Sequence, residues 1–242
     1  MFSSFSSSPF KFRFPLPHSR LRLCFFSSTS SLHSHSHPQS IDEAAVDSFT
    51  RMLSMRPTPS IIQFNKILGS LAKTNHFPTA ISLFQQLQLT GITPDLFTLT
   101  ILMNCCCGMG LMTLAFSVFA KFFRMDYQPD TVTLTTLLKG LCLSGNLDQA
   151  LHFHDKLLAH GFQFNHVTYG TLINGFCKTG LTTAAIQLLR KIPQYGVVPD
   201  VFMYNTIIDS LCKDTLKAID LLNHMMLKTI TPNVRTYNTL ID

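Results

Sequence analysis

The residues best suited to chemistry are seven cysteines and ten histidines, and their spacing argues against most of it. Zinc needs paired ligands at short spacing, and no Cys-x-x-Cys occurs. Cys107, Cys142, Cys177 and Cys212 instead lie 35 residues apart, which marks them as small buried residues in equivalent packing slots. Cys105, Cys106 and Cys107 are consecutive and point in different directions on a helix. The thiols fit a reducing interior rather than a disulfide framework. His33, His35 and His37 could suggest a metal, but no second ligand cluster accompanies them, so they read as part of a solvated leader. His152, His154 and His160 read as repeat-surface or packing residues. No paired carboxylates, nucleophile–base set or phosphate loop stands out. The expectation is a protein that is not an enzyme and has no metal and no cofactor.

The spacing is itself the stronger signal. Ala80, Ala115, Ala150 and Ala185 keep the 35-residue interval, as do the turn-type residues Asn75, Gly110, Gly145 and Gly180. Asp95, Asp130, Asn165 and Asp200 keep it too. A fixed period in this range marks a stacked-repeat architecture. In residues 166–200, Val167, Tyr169, Leu172, Ile173 and Phe176 recur at helical spacing and predict an amphipathic helix. Thr179 and Gly180 end it, since glycine tolerates the left-handed conformation. Ala184, Ala185, Leu188 and Leu189 mark a second helix, ended by Gly196 with Pro199 blocking continuation. Each repeat is thus a helical hairpin. Stacked hairpins bury between them the apolar faces that neither helix could bury alone, giving an all-α superhelical solenoid whose first helices line the concave face.

In register, the units are residues 61–95, 96–130, 131–165, 166–200 and 201–233, with a partial unit at 234–242. Residues 41–60 hold a partial N-terminal helix and linker, useful as a cap. The fifth unit spans 33 residues; Cys212 to Ala218 covers six steps where Cys177 to Ala185 covers eight. That loss, near Thr215, is expected to shift the phase of the second helix and weaken its packing. The partial unit is expected to fray without a polar cap.

With 46% hydrophobic and 13% charged residues, the chain can bury a substantial core. The net charge of +6 is misleading, because Lys11, Arg13, Arg20 and Arg22 precede the first acid, Asp42. Without them the balance is about +2, weak evidence for an anionic partner. Residues 1–40, rich in serine and without acids, read as an organellar transit peptide. The prominence of arginine favours the mitochondrion over the plastid. Residues 96–120 carry no charge and mimic a membrane helix. Gly108 and Gly110 stand mid-run where other repeats turn, so the run reads as two short buried helices and no membrane span.

The phrases VTYGTLINGFCKTG (residues 167–180) and VRTYNTLID (residues 234–242) resemble the pentatricopeptide repeat. The resemblance covers residues 61–242, and the uniform length resembles the P-type subclass. Residues 55–60, leading into 61–68, are similar to plant restorer-of-fertility-like members. The tetratricopeptide repeat fits less well, because its motif bears a tryptophan and this chain has none. The resemblance implies a right-handed superhelix that binds single-stranded organellar RNA, one base per repeat. It implies that the fifth residue of the first helix and the last residue of the unit read the base edge. Asp would accept the imino N–H of guanine or uracil, and Asn would donate to the ring nitrogen of adenine or cytosine. A short Thr leaves room for a purine; a longer Asn reaches a pyrimidine.

Carried over, Asn65 with Asp95 implies U, Thr100 with Asp130 implies G, and Thr135 with Asn165 implies A. Gly170 with Asp200 departs from the pattern and leaves its base open. Asn205 with Asn233 implies C or U, and Asn238 belongs to the partial unit. The ligand so implied is 5′-U-G-A-N-Y. Ile62, Phe97, Val132, Val167 and Phe202 would pack on base faces, and Arg235, in the same slot, could contact phosphate. The alternatives are a protein-binding scaffold, or a remnant with weak RNA binding. Other RNA-processing proteins are possible partners.

Overall fold

The computed structural model describes residues 41–211 and 214–241. Cys212 and the leader, including His33, His35 and His37, lie outside the described residues. Among the described residues all elements are helical and none is a strand. In chain order they are α1 (Ile41–Ser54), α2 (Ile61–Lys73), α3 (Phe77–Leu89), α4 (Leu96–Gly108), α5 (Met112–Arg124) and α6 (Thr131–Leu143). They continue with α7 (Leu147–Ala159), α8 (His166–Lys178), α9 (Thr182–Lys191), α10 (Val201–Ser210), α11 (Thr215–Leu227) and α12 (Val234–Ile241). Helices α2 to α11 form five hairpins. The first helix of each packs on the first helix of the next, from α2 through α4, α6, α8 and α10 to α12, making a continuous layer. Helix α1 packs against α2 and α3.

Small residues let these helices approach. Ala80, Ala115, Ala150, Ala185 and Ala218 are all buried. The cysteine slot has the same cause. Cys107 lies against Gly140 and Cys142 against Gly175, so close that a Cβ on either glycine would collide with the thiol side chain. The slot is not uniform, however. Cys177 is only partly buried, and it faces the Ser210 hydroxyl rather than a glycine. Cys105, Cys106 and Cys107 are all buried despite pointing different ways, because α4 is enclosed by α2, α3, α5 and α6. Burial pushes their thiols up to about 12, 11 and 12, which removes them as nucleophiles.

The uncharged run is two helices, α4 and α5, joined at Gly110 with φ +72°. No helix among the described residues is long and apolar enough to cross a membrane. Gly180 is left-handed as its place predicts, with φ +78°. Two local expectations differ. Val167, counted both in the helical spacing and among the base-packing residues, is 55% exposed, whereas Tyr169, Leu172, Ile173 and Phe176 are buried. Helix α9 stops at Lys191 and tightens into a 3-10 turn over Ile192–Tyr195, because Pro193 has no N–H to continue the ladder. His154 packs inside, stacked on Phe164 and edge-on to Tyr169 and Tyr195.

The short unit shows no phase shift in its second helix. Ala218, Leu221 and Met225 are buried at the same offsets as Ala185, Leu188 and Ile192 one unit earlier. The loss falls on the first helix: α10 has 10 residues where its counterparts have 13. A helix end can shed a turn without moving the stripe of the next helix, and that absorbs the deletion.

Candidate nucleic-acid interface

Along the first-helix layer runs a row of apolar side chains that the core does not use. Ile62, Phe97, Val132, Val167 and Phe202 stand one per unit, at the second position of each first helix, and are 55–63% exposed. Large apolar groups recurring in this way on one layer mark a binding surface better than scattered ones do. In α12 Arg235 takes the slot, but its Nη2 lies 2.6 Å from Asp209 Oδ2.

Beside this row lie the polar pairs. Asp95, Asp130, Asn165 and Asp200 cap α4, α6, α8 and α10, each accepting a backbone N–H with its side chain. Such caps are worth ~1 kcal/mol each, so helix capping alone accounts for part of this series. In the first unit, Asn65 Nδ2 donates to Asp95 Oδ1 and Oδ2 at 3.1 and 3.2 Å. The fifth unit repeats this, with Asn205 Nδ2 donating to Asn233 Oδ1 at 3.2 Å. Asn65 and Asn205 are both buried.

In the second and third units the pair members do not bond directly. A threonine of the following helix stands between them. Thr133 Oγ1 lies 3.2 Å from Thr100 Oγ1 and donates to Asp130 Oδ1 at 2.8 Å. Thr168 Oγ1 lies 2.8 Å from Thr135 Oγ1 and reaches Asn165 Oδ1 at 3.4 Å. Thr98 and Thr236 hold the equivalent place in the first and fifth units. These threonines are absent from the expected site. Their signal was present, since Thr98, Thr133 and Thr168 are also 35 residues apart. The fourth unit brings no pair together: Gly170 has no side chain, Met203 replaces the threonine, and the Asp200 carboxylate accepts the Met203 amide, at 2.9 Å. Asn238 is exposed on α12.

Electrostatics favour an ionised acceptor in the first unit. Burial pushes the Asp95 carboxyl up, but hydrogen bonds from Thr98 and Asn65 outweigh this and hold it below the usual carboxylate range. Between α6 and α8 a groove of about 550 Å³ gathers Val132, Thr135, Asn165 and Val167, with Lys139 and Lys178 on its walls. Apolar faces, a hydrogen-bonding edge and two cations together suit a base with its phosphate. Among the described residues no group of three or more His, Cys, Asp or Glu could hold a metal.

The profile of the PPR repeat family matches residues 59–108, 129–178, 165–213 and 199–242, and a single PPR repeat matches 97–126. Two mitochondrial pentatricopeptide repeat-containing proteins of Arabidopsis thaliana are 51% and 48% identical over 63 residues. Each match covers 26% of this chain and 12% of the relative. The fold is similar to that of the maize pentatricopeptide repeat protein PPR10, with TM-score 0.51 and 22% identity over 82% of this chain and 34% of that one. It is also similar to the PPR domain of Arabidopsis protein-only RNase P 1, solved in complex with tRNA. There the TM-score is 0.56 and the identity 16%, over 74% of this chain and 96% of that one. With repeats matched over most of its length, this chain belongs to the PPR, or pentatricopeptide repeat, family.

Proposed function

We propose that the chain binds single-stranded RNA along its first-helix layer, one base per unit, with the preference 5′-U-G-A-N-Y. The observation that carries this is the exposed row Ile62, Phe97, Val132, Val167 and Phe202, set beside a hydrogen-bonding pair in four of five units. Bases stack on the row, each contributing ~1–3 kcal/mol, and their edges meet the pairs. Asp95 accepts from the uracil imino group, Asp130 from guanine, and Asn165 donates to adenine. Gly170 and Asp200 add no preference; Asn205 and Asn233 take a pyrimidine. Asn238 would begin a further site.

The protein acts by occupancy in RNA processing, stability or translation: it masks a site, blocks a nuclease or remodels a transcript, alone or with other RNA-processing proteins. It is a P-type array of the restorer-of-fertility-like kind, working in the mitochondrion. The location draws on the arginine-bearing leader and on the mitochondrial relatives. Anisotropy with labelled short RNAs tests the reading. The full chain is expected to bind a UGA-containing strand at least ten times more tightly than its complement. Equal affinity for both would overturn it and favour the scaffold or remnant.

A further inference from the structure

In each complete pair, a third side chain holds the other two. Thr98, Thr133, Thr168 and Thr236 are fully buried, so their hydroxyls have no access to water. Their partners are the fifth residue of one unit and the residue that caps the next helix. A buried hydroxyl with these partners sets which hydrogen-bonding atoms remain for anything outside.

The proton count shows how. Thr98 Oγ1 lies 2.8 Å from Asn65 Oδ1 and 2.7 Å from Asp95 Oδ1, with one proton for two acceptors. Asp95 Oδ1 already receives the Thr98 amide at 2.7 Å and Asn65 Nδ2 at 3.1 Å. The Thr98 hydroxyl is the donor that reaches Asn65 Oδ1. Placed there, the proton locks the amide with Oδ1 inward and Nδ2 at the carboxylate; placed on Asp95, it strengthens the cap, so the one hydroxyl is shared between the two members of the pair. The fifth unit repeats the lock through Thr236, which donates to Asn205 Oδ1 at 2.7 Å. In the second unit, Thr133 donates to Asp130 and so accepts from Thr100. Thr100 can otherwise donate only to the Leu96 carbonyl, 2.9 Å away. Either bond keeps the Thr100 proton inside and leaves an oxygen lone pair outward.

The fourth unit lacks both parts at once. Met203 is buried where the threonine belongs, and Gly170 has no side chain for it to hold. The Phe202 ring lies against the space a side chain at 170 would take, 3.6 Å from the place of its Cβ. That distance is ordinary contact, so the space would admit a side chain. Loss of the held group together with loss of its holder is what a working three-residue site predicts.

We propose that Thr98, Thr133, Thr168 and Thr236 are positioning residues of the base-reading sites, and that the fourth unit, with Gly170 and Met203, reads no base. This rests on the RNA reading above. The test measures affinities of the full chain for 5′-UGANY RNAs varied at one base at a time. Wild type should discriminate at the first three bases and be flat at the fourth. Thr98→Val should lose about tenfold of the preference for U at the first base and leave the second and third intact; Thr98→Ser should restore it. A Thr98→Val protein that keeps its first-base preference overturns the proposal. So does one that loses preference equally at all positions. If Thr98→Val melts too low to assay, the fourth unit decides. Gly170→Asn with Met203→Thr should create a preference for U at the fourth base that Gly170→Asn alone does not. No gain from the second change overturns the proposal. A wild type with no base preference anywhere overturns the RNA reading, and this one with it.

Discussion

Two kinds of side-chain pair stand in this array, and they differ in how they are bonded. The sites at Asn65–Asp95 and Asn205–Asn233 are closed: the amide is buried and bonded to both its cap and its threonine. The sites at Thr100–Asp130 and Thr135–Asn165 are open: the fifth residue of the unit is half-buried and reaches its cap only through the threonine of the next helix. The difference follows from side-chain length. Asparagine spans the gap between neighbouring first helices, and threonine does not. A closed site has spent part of its hydrogen-bonding capacity on the fold, so a base there must share a bond that is already made. The closed sites contribute to stability, and the open sites, on the proposed function, would keep more of their capacity for RNA.

Removing the caps should break this symmetry most visibly. Asp130→Ala at an open site loses a helix cap, costing ~1 kcal/mol. Asp95→Ala at a closed site loses the cap and also strands the buried Asn65 amide, which adds ~1–3 kcal/mol. Urea unfolding should therefore show the second variant losing two to four times as much stability, on the order of 2–4 kcal/mol in all. Equal losses would mean that the closed network carries no energy of its own.

Turning an open site into a closed one is the next largest effect. Thr100→Asn places an amide opposite Asp130, with Thr133 in the position Thr98 occupies beside Asn65. The second base preferred should move from G towards U, by about tenfold or ~1.4 kcal/mol. An unchanged preference for G would reject the assigned pair. The same variant should unfold at slightly higher urea concentration, since it gains the bond the open site lacks.

Much of this frame is legible in the order of the amino acids. The 35-residue interval places the hairpins, and glycine at position 180 announces a left-handed turn that the chain does make. Two pairs, Asn65–Asp95 and Asn205–Asn233, bond directly within their units, and two more meet only through a threonine of the next unit. What stays hidden in the sequence depends on neighbours. Val167 looks like part of a buried stripe because helical periodicity cannot tell a core face from a binding face. Thr98, Thr133 and Thr168 keep the interval, but a threonine near a helix start reads as an ordinary residue until its partner from the previous unit is seen. The two missing residues near Thr215 suggest a misphased helix, whereas α10 simply ends a turn early. Cys177 looks equivalent to Cys142, yet the residue facing it changes from glycine to serine and its burial changes with it.

The smallest expected effect separates the two closed sites from each other. The first is capped by a carboxylate, Asp95, and the fifth by an amide, Asn233. Hydrogen bonds from Thr98 and Asn65 hold the Asp95 carboxyl below its ordinary value, overcoming the opposing effect of burial. The unfolded chain therefore takes up its proton first as pH falls, near the ordinary value of ~3.9. The stabilisation is fully present above that value and is lost as pH falls through the lower folded value. Asp95→Asn keeps a capping side chain, as Asn233 does, but has nothing to titrate. Urea midpoints measured from pH 6 down to the acid limit of folding should fall less steeply for Asp95→Asn than for wild type. Asn233→Asp should add acid sensitivity at the fifth unit. Parallel curves for wild type and Asp95→Asn would show that the carboxylate draws no stability from its two partners, and that the two closed sites do not differ in their response to acid.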